Sequence, residues 1–133
     1  IAMEQMESFL NTKSVEEIES IKAIFTHDDE IVFGIVEALK NYNGPANINI
    51  KLISGVSGGE GFMDLFENSG LEGIDFMTYT FSPSMVRDAV GLGLKVLQGE
   101  TLDSSYLIPT EMIDKTDYKE YMESDLYKIR YSL

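Results

Sequence analysis

Between Ile21 and Asn41 the spacing of apolar residues changes period. Ile21, Ala23, Ile24 and Phe25 form a short apolar run of β type. A polar knot, Thr26-His27-Asp28-Asp29, stops it. Ile31, Val32, Ile35, Val36 and Leu39 then recur at three- and four-residue steps, the spacing of one helical face. A change of this kind predicts strand, tight turn and helix.

The remaining pattern supplies the other elements. Met3, Met6, Phe9 and Leu10 share one face of a helix over 2–10. Asn11–Ser14 breaks it, and Val15–Ser20 fits one further turn. Asn41–Asn47 combines Asn, Gly and Pro and predicts a loop. Ile48, Ile50, Leu52 and Ile53 predict a second strand, ended by the Gly-rich turn Ser54–Gly61. Phe62, Met63, Leu65 and Phe66 predict a short helix closed by Asn68-Ser69-Gly70. Ile74, Phe76, Met77 and Tyr79 predict a third strand. Ser82 as N-cap and Pro83 in the first turn open a long helix to about Gln98, which Gly99 stops. Tyr106-Leu107-Ile108 is a fourth extended run, halted by Pro109. Residues 117–122 fit a last short helix, and 126–133 form a tail without a clear pattern.

Strands and helices alternate, which predicts an α/β fold: three-layer α/β/α with a mainly parallel sheet and right-handed crossovers. In such folds ligands bind beyond the carboxyl ends of the strands. The Thr26–Asp29 turn sits there. One of its aspartates, in this reading Asp29, caps the helix, and the other faces a crevice.

Composition narrows the function classes. The 133 residues suffice for one core. With 44% apolar and 25% charged residues, the chain is of globular type. A net charge of −13 repels polyanions, so nucleic acid and anionic membranes are poor partners. The absence of cysteine excludes disulfides and thiolate chemistry and fits either redox compartment. No apolar run approaches ~18 residues and no signal peptide is visible. Because the chain starts inside an element, it reads as a fragment of a longer protein.

Three turns offer chemistry. In His27-Asp28-Asp29, Asp28 either is a solvated member of a capped turn or accepts hydrogen bonds from a polar ligand. His27 is the only histidine, and no second group of metal ligands accompanies it. Gly55-Val56-Ser57-Gly58-Gly59 lacks both the Gly-Lys-Ser/Thr ending and the G-x-G-x-x-G spacing of phosphate cradles. Its glycines serve tight backbone geometry, with Ser57 able to offer a hydroxyl to the same crevice. Phe81, in Tyr79-Thr80-Phe81-Ser82-Pro83, is either core or a stacking face for a sugar ring. No cofactor is implied.

Taken together, these motifs resemble the periplasmic sugar-binding proteins of ABC transporters, ribose-binding type. IKAIFTHDDEIVFGIVEALKN is similar to the segment in which a strand of the second lobe runs into an Asn-Asp-Glu turn and a helix. Phe81-Ser82-Pro83, with Val86–Leu97, Gly99 and Glu100, resembles the family's late helix and the turn after it. Tyr106–Asp114 (YLIPTEMID) resembles its closing strand. The likeness covers about residues 1–122 and implies one lobe of a periplasmic-binding-protein-like fold, the C-terminal lobe of a two-lobe protein.

The resemblance also implies a site, position by position. Asp28 falls where the family binds sugar hydroxyls, and Asp29 on the following aspartate. Val56 and Ser57 stand where the ribose type has an aromatic residue and an aspartate, and Phe81 where it has a glutamine. These departures point away from a standard pentose or hexose toward a more apolar or aromatic-stacked ligand.

The implied function is that of a solute-binding component, with no catalysis. It would bind a sugar or polyol between two lobes for an ABC permease, outside the cytoplasm, as a periplasmic protein or a cell-surface lipoprotein. The helix over 83–99 would pack on the missing lobe. In the isolated chain it is expected to bury itself on its own sheet or against a second copy, giving a homodimer. The effector-binding core of a lactose-repressor-type regulator shares the fold, but often has a Thr-Thr pair where this chain has Tyr79-Thr80. A receiver-type phosphoacceptor would need an aspartate near Gly55-Val56-Ser57 and a lysine after Tyr79, and neither is present.

Overall fold

The computed structural model describes residues 1–103 and 105–129. In chain order the elements are α1 (Ala2–Thr12), α2 (Val15–Ser20), β1 (Ala23–Phe25), α3 (Asp29–Asn41), β2 (Leu52–Ser57), α4 (Glu60–Asn68), β3 (Asp75–Thr80), α5 (Met85–Leu97), β4 (Met112–Asp114), α6 (Tyr118–Glu123) and α7 (Asp125–Ile129). The sheet runs β1-β2-β3-β4. Its first three strands are parallel, and β4 joins β3 antiparallel. This is the mixed α/β class, with the mainly parallel sheet, that the alternating pattern predicts.

Parallel neighbours cannot be joined by a tight turn, so helices α3 and α4 make the crossovers. Both bury their apolar stripes against one face of the sheet. Ile24, Ile53 and Phe76 stand in register on that face, and Thr78 pairs with Ile113. They meet Val32, Ile35, Val36 and Leu39 from α3 and Phe62, Met63 and Leu65 from α4 in one cluster. Phe62, Ile53 and Val32 are fully buried, each contributing about 1.5–3 kcal/mol. Phe62 meets Phe76 edge-on at 6.3 Å. Tyr118 and Tyr121 extend the cluster from α6. Helix α1 lies on α3 at Gly34, where a Cβ would stand 2.7 Å from the Met3 backbone nitrogen.

The opposite sheet face is different. Phe25 is 62% exposed, Met112 47% and Tyr79 36%. No residue of α5 is buried, and Val86, Val90, Leu94 and Leu97 are all open. The expectation that α5 would fold back on its own sheet is therefore not met. A crossover helix is forced onto a sheet only between parallel strands, and the strands flanking α5 are antiparallel.

Four boundaries move. β2 begins at Leu52, so Ile48 and Ile50 lie in the preceding connection, with Ile50 buried there. Ser54, Gly55, Val56 and Ser57 belong to the strand rather than to a turn, because β3 pairs with all four. The fourth strand is Met112–Asp114. Tyr106 and Leu107 are exposed, and the ladder is entered only at Glu111, whose carbonyl accepts the Thr80 N–H at 2.8 Å. Helix α5 starts at Met85, two residues later than Pro83, with Ser82 Oγ accepting the Ser84 N–H at 3.2 Å. Gly99 ends it as expected, at φ +86°. Of the patternless tail 126–133, residues 126–129 fall in α7 (Asp125–Ile129), and 130–133 lie outside the described residues.

Candidate functional site

The carboxyl ends of β1, β2 and β3 form one rim. Asp28 is extended (φ −155°, ψ 144°) and is the N-cap of α3, its Oδ1 accepting the Glu30 N–H at 2.9 Å. The cap is thus Asp28 and not Asp29. Asp29 is instead the first helical residue and is 4% exposed. Its Oδ1 accepts the Thr78 hydroxyl at 2.7 Å and its Oδ2 the Gly59 N–H at 2.8 Å. A buried carboxylate with two such donors is well satisfied, which is why the inner position takes the acid. Gly55 leaves the space: a Cβ there would lie 2.2 Å from Asp29 Oδ1 and 2.7 Å from Phe62 Cε2.

The β2–α4 turn is held from every side. Ser57 has φ +146° and Gly58 φ +70°. A serine there is strained, by on the order of 1–3 kcal/mol, so the neighbours must over-determine the turn. The Phe81 N–H donates to the Ser57 carbonyl at 3.2 Å. Gly58 N–H donates to Thr78 Oγ1 at 3.2 Å, and the Tyr121 hydroxyl donates to the Gly58 carbonyl at 3.0 Å.

Two hollows meet at Ser57. A recess of about 380 Å³ is lined by Asp28, Asp29, Glu30, Phe33, Ser57, Gly59, Glu60, Gly61 and Phe62. A smaller one of about 140 Å³ is lined by Ser57 together with Thr80, Phe81, Ser82, Ser84, Met85, Asp88, Ile108, Pro109, Tyr121, Leu126 and Ile129. Asp28 and Phe81 therefore flank Ser57 on the same rim, with Phe81 56% exposed. Val56 and His27 line neither hollow. Val56 pairs with Tyr79 inside the sheet, and exposed His27 meets the Phe25 ring edge-on at 5.2 Å.

The rim offers a carboxylate acceptor, a serine hydroxyl and an open aromatic face. No lysine or arginine lines either hollow. Among the described residues, no group of three His, Asp or Glu is placed to hold a metal ion.

Sequence reasoning missed the buried Asp29–Thr78 lock and the role of Tyr121. One signal was present for the lock. Phe76, Thr78 and Thr80 alternate as inward positions of β3, and a threonine among such apolar neighbours needs a buried partner. Nothing local marked Tyr121, whose partner is 63 residues away.

No family model matches the sequence, and no curated protein matches it. Solved structures do. A galactofuranose-binding protein superposes at TM-score 0.73 with 19% identity, covering 98% of this chain and 42% of that one. A Mycobacterium smegmatis protein in complex with β-D-fucofuranose superposes at 0.71 with 20% identity over 96% of this chain and 39% of that one. An ABC transporter solute-binding protein from Bacillus halodurans with bound myo-inositol gives 0.69 and 19% over 92% and 38%. The chain has the periplasmic-binding-protein-like fold. It spans about two fifths of the length of these structures. In this fold the rim of Asp28, Ser57 and Phe81 lies at the carboxyl ends of the strands, where open α/β sheets place their ligands. Among the described residues no helix is long and apolar enough to cross a membrane.

Proposed function

We propose that this chain is one lobe, the C-terminal one, of the solute-binding component of an ABC importer, and that it contributes half of a cleft for a sugar or polyol. The observation that carries the reading is the meeting of Asp28, Ser57 and Phe81 along one rim. The likeness to structures named for furanose and inositol binding supports it. Asp28 accepts hydroxyl protons, Ser57 exchanges a hydroxyl hydrogen bond, and Phe81 stacks on the C–H face of a ring. No bond is made or broken; the ligand works by closing two lobes upon itself. The protein then functions outside the cytoplasm and hands its ligand to a permease. The regulator alternative gains no specific observation from the fold.

The open stripe of α5 supports a second part of the reading: residues 83–99 seat against the other lobe. Where that lobe is missing, a second copy is the alternative cover, and light scattering on the 133-residue chain distinguishes dimer from monomer.

The central test is a thermal-shift screen of sugars and polyols on the intact protein. A ligand at 100 times its Kd adds ~2.7 kcal/mol of stability, a readily visible shift. A flat response across furanoses, pyranoses and inositols would remove the sugar reading.

A further inference from the structure

We infer that Tyr121, on α6, is a positioning residue for the rim: its hydroxyl holds the Ser57-Gly58 turn in the geometry that presents Ser57 to the cleft. The inference rests on the proposed sugar site for its binding consequence, but its structural half stands alone.

Ser57 is the one non-glycine residue with positive φ among the described residues. Such a backbone persists only where its surroundings leave no alternative. Gly58 is gripped through both of the peptide groups that flank its Cα. Its N–H is bound by Thr78 Oγ1, which is tied to Asp29. Its carbonyl is bound by the Tyr121 hydroxyl in a buried contact. Thr78 and Asp29 belong to the sheet and its crossover helix. Tyr121 is a grip that arrives from the C-terminal segment, and it too is buried, at 5% exposure. Its ring packs edge-on against Tyr127 at 5.3 Å, and the same segment supplies Leu126 and Ile129 to the hollow beneath Phe81. Residues 118–129 are thus built into the back of the rim. Without the hydroxyl, the Gly58 carbonyl loses its buried Tyr121 donor, and the strained φ at Ser57 loses an opposing constraint.

Tyr118 provides the matched control. It lies on the same helix, and its hydroxyl bonds to Glu67, away from the turn. The experiment compares Tyr121→Phe and Tyr118→Phe in the intact protein. Amide hydrogen exchange across residues 56–61 should quicken about tenfold in Tyr121→Phe and stay near wild type in Tyr118→Phe, whatever the protein binds. Calorimetric titration with D-arabinose, D-ribose, D-fructose, D-galactose and myo-inositol then reads the binding half. Any of these that binds wild type should bind Tyr121→Phe about three- to tenfold more weakly and Tyr118→Phe unchanged.

Equal exchange in the two variants overturns the positioning role. Quickened exchange with unchanged affinity overturns its consequence for the site. If none of these probes binds wild type, the sugar reading is what fails, while the exchange arm still decides whether Tyr121 holds the turn. A global loss of stability would quicken exchange throughout the chain, so peptides from α1 and α3 serve as the internal reference.

Discussion

Asp29 and Thr78, 49 residues apart, share a buried hydrogen bond of 2.7 Å that joins the start of α3 to the middle of β3. Gly59 N–H closes the same carboxylate from the third side. One side chain thus fixes the relative position of the β1–α3 and β2–α4 turns, the two loops that form the larger recess. Asp29→Asn keeps the shape but turns an amide N–H₂ toward a donor. It should cost about 1–3 kcal/mol. Urea denaturation measures this, and a variant as stable as wild type would show that the carboxylate is not the lock.

Asp28 caps α3, and the proposed ligand contact falls on the same side chain, so one substitution separates the two. Asp28→Ser keeps a good N-cap acceptor, so stability should stay within about 0.5 kcal/mol of wild type. Serine withdraws the carboxylate that the proposed site offers to a sugar, so the ligand-induced thermal shift should vanish. Asp28→Ala should lose both the shift and about 0.5–2 kcal/mol of stability. A full shift retained in Asp28→Ser would return Asp28 to a purely capping role.

Two glycines inside α5 discriminate a covered face from a bare one. Among the described residues, an added Cβ at Gly91 or Gly93 would meet no heavy atom within 4 Å beyond its own stretch of helix. In the 133-residue chain each change to alanine should therefore stabilise by about 0.8–1 kcal/mol through helix propensity. By helical spacing Gly93 lies on the stripe of Val86, Val90 and Leu97, whereas Gly91 lies off it. In the intact protein Gly91→Ala should keep its gain, and Gly93→Ala should lose it or become destabilising. Equal gains from both changes in the intact protein would mean that nothing seats closely on the stripe.

Acid should weaken the fold through a few surface carboxylates. Glu19 is held below its ordinary 4.5 chiefly by the Asn47 N–H, and then by the Asn47 amide. Glu67 is held low chiefly by the Tyr118 hydroxyl. Asp114 lies below its ordinary 3.8 through the Thr116 hydroxyl and N–H. A carboxylate whose folded pKa is depressed contributes stability that is present above its unfolded pKa and is lost as pH falls through the folded one. Stability should thus be flat from neutrality to about pH 4.5 and decline below it. Glu19→Gln should make that decline shallower in a series of urea midpoints, and an unchanged slope would sink the assignment.

The two crossover helices and the strands they connect follow from residues close in the chain. The stripe Val32, Ile35, Val36, Leu39 and the inward positions of β3 state their own periods, because burial on one face imposes 3.6 or 2 on any sequence that folds. The composition excludes thiolate chemistry outright, and the turns at Thr26–Asp29 and at Gly58-Gly59 after β2 are marked by residues that break such periods.

Other features required the assembled molecule. Ser54, Gly55, Val56 and Ser57 have poor local reasons to be a strand; they are one because β3 offers each a partner in register. Which aspartate caps and which is buried depends on a hydroxyl and an N–H that arrive 49 and 30 residues later. The exposed face of α5 depends on the antiparallel return of β4. The tyrosine behind Ser57 depends on a helix at the far end of the chain. Local spacing determines which side of an element seeks cover, since that is a matter of surface and solvent. Only tertiary packing decides which distant atom provides it, since hydrogen-bond partners are chosen by distance in space.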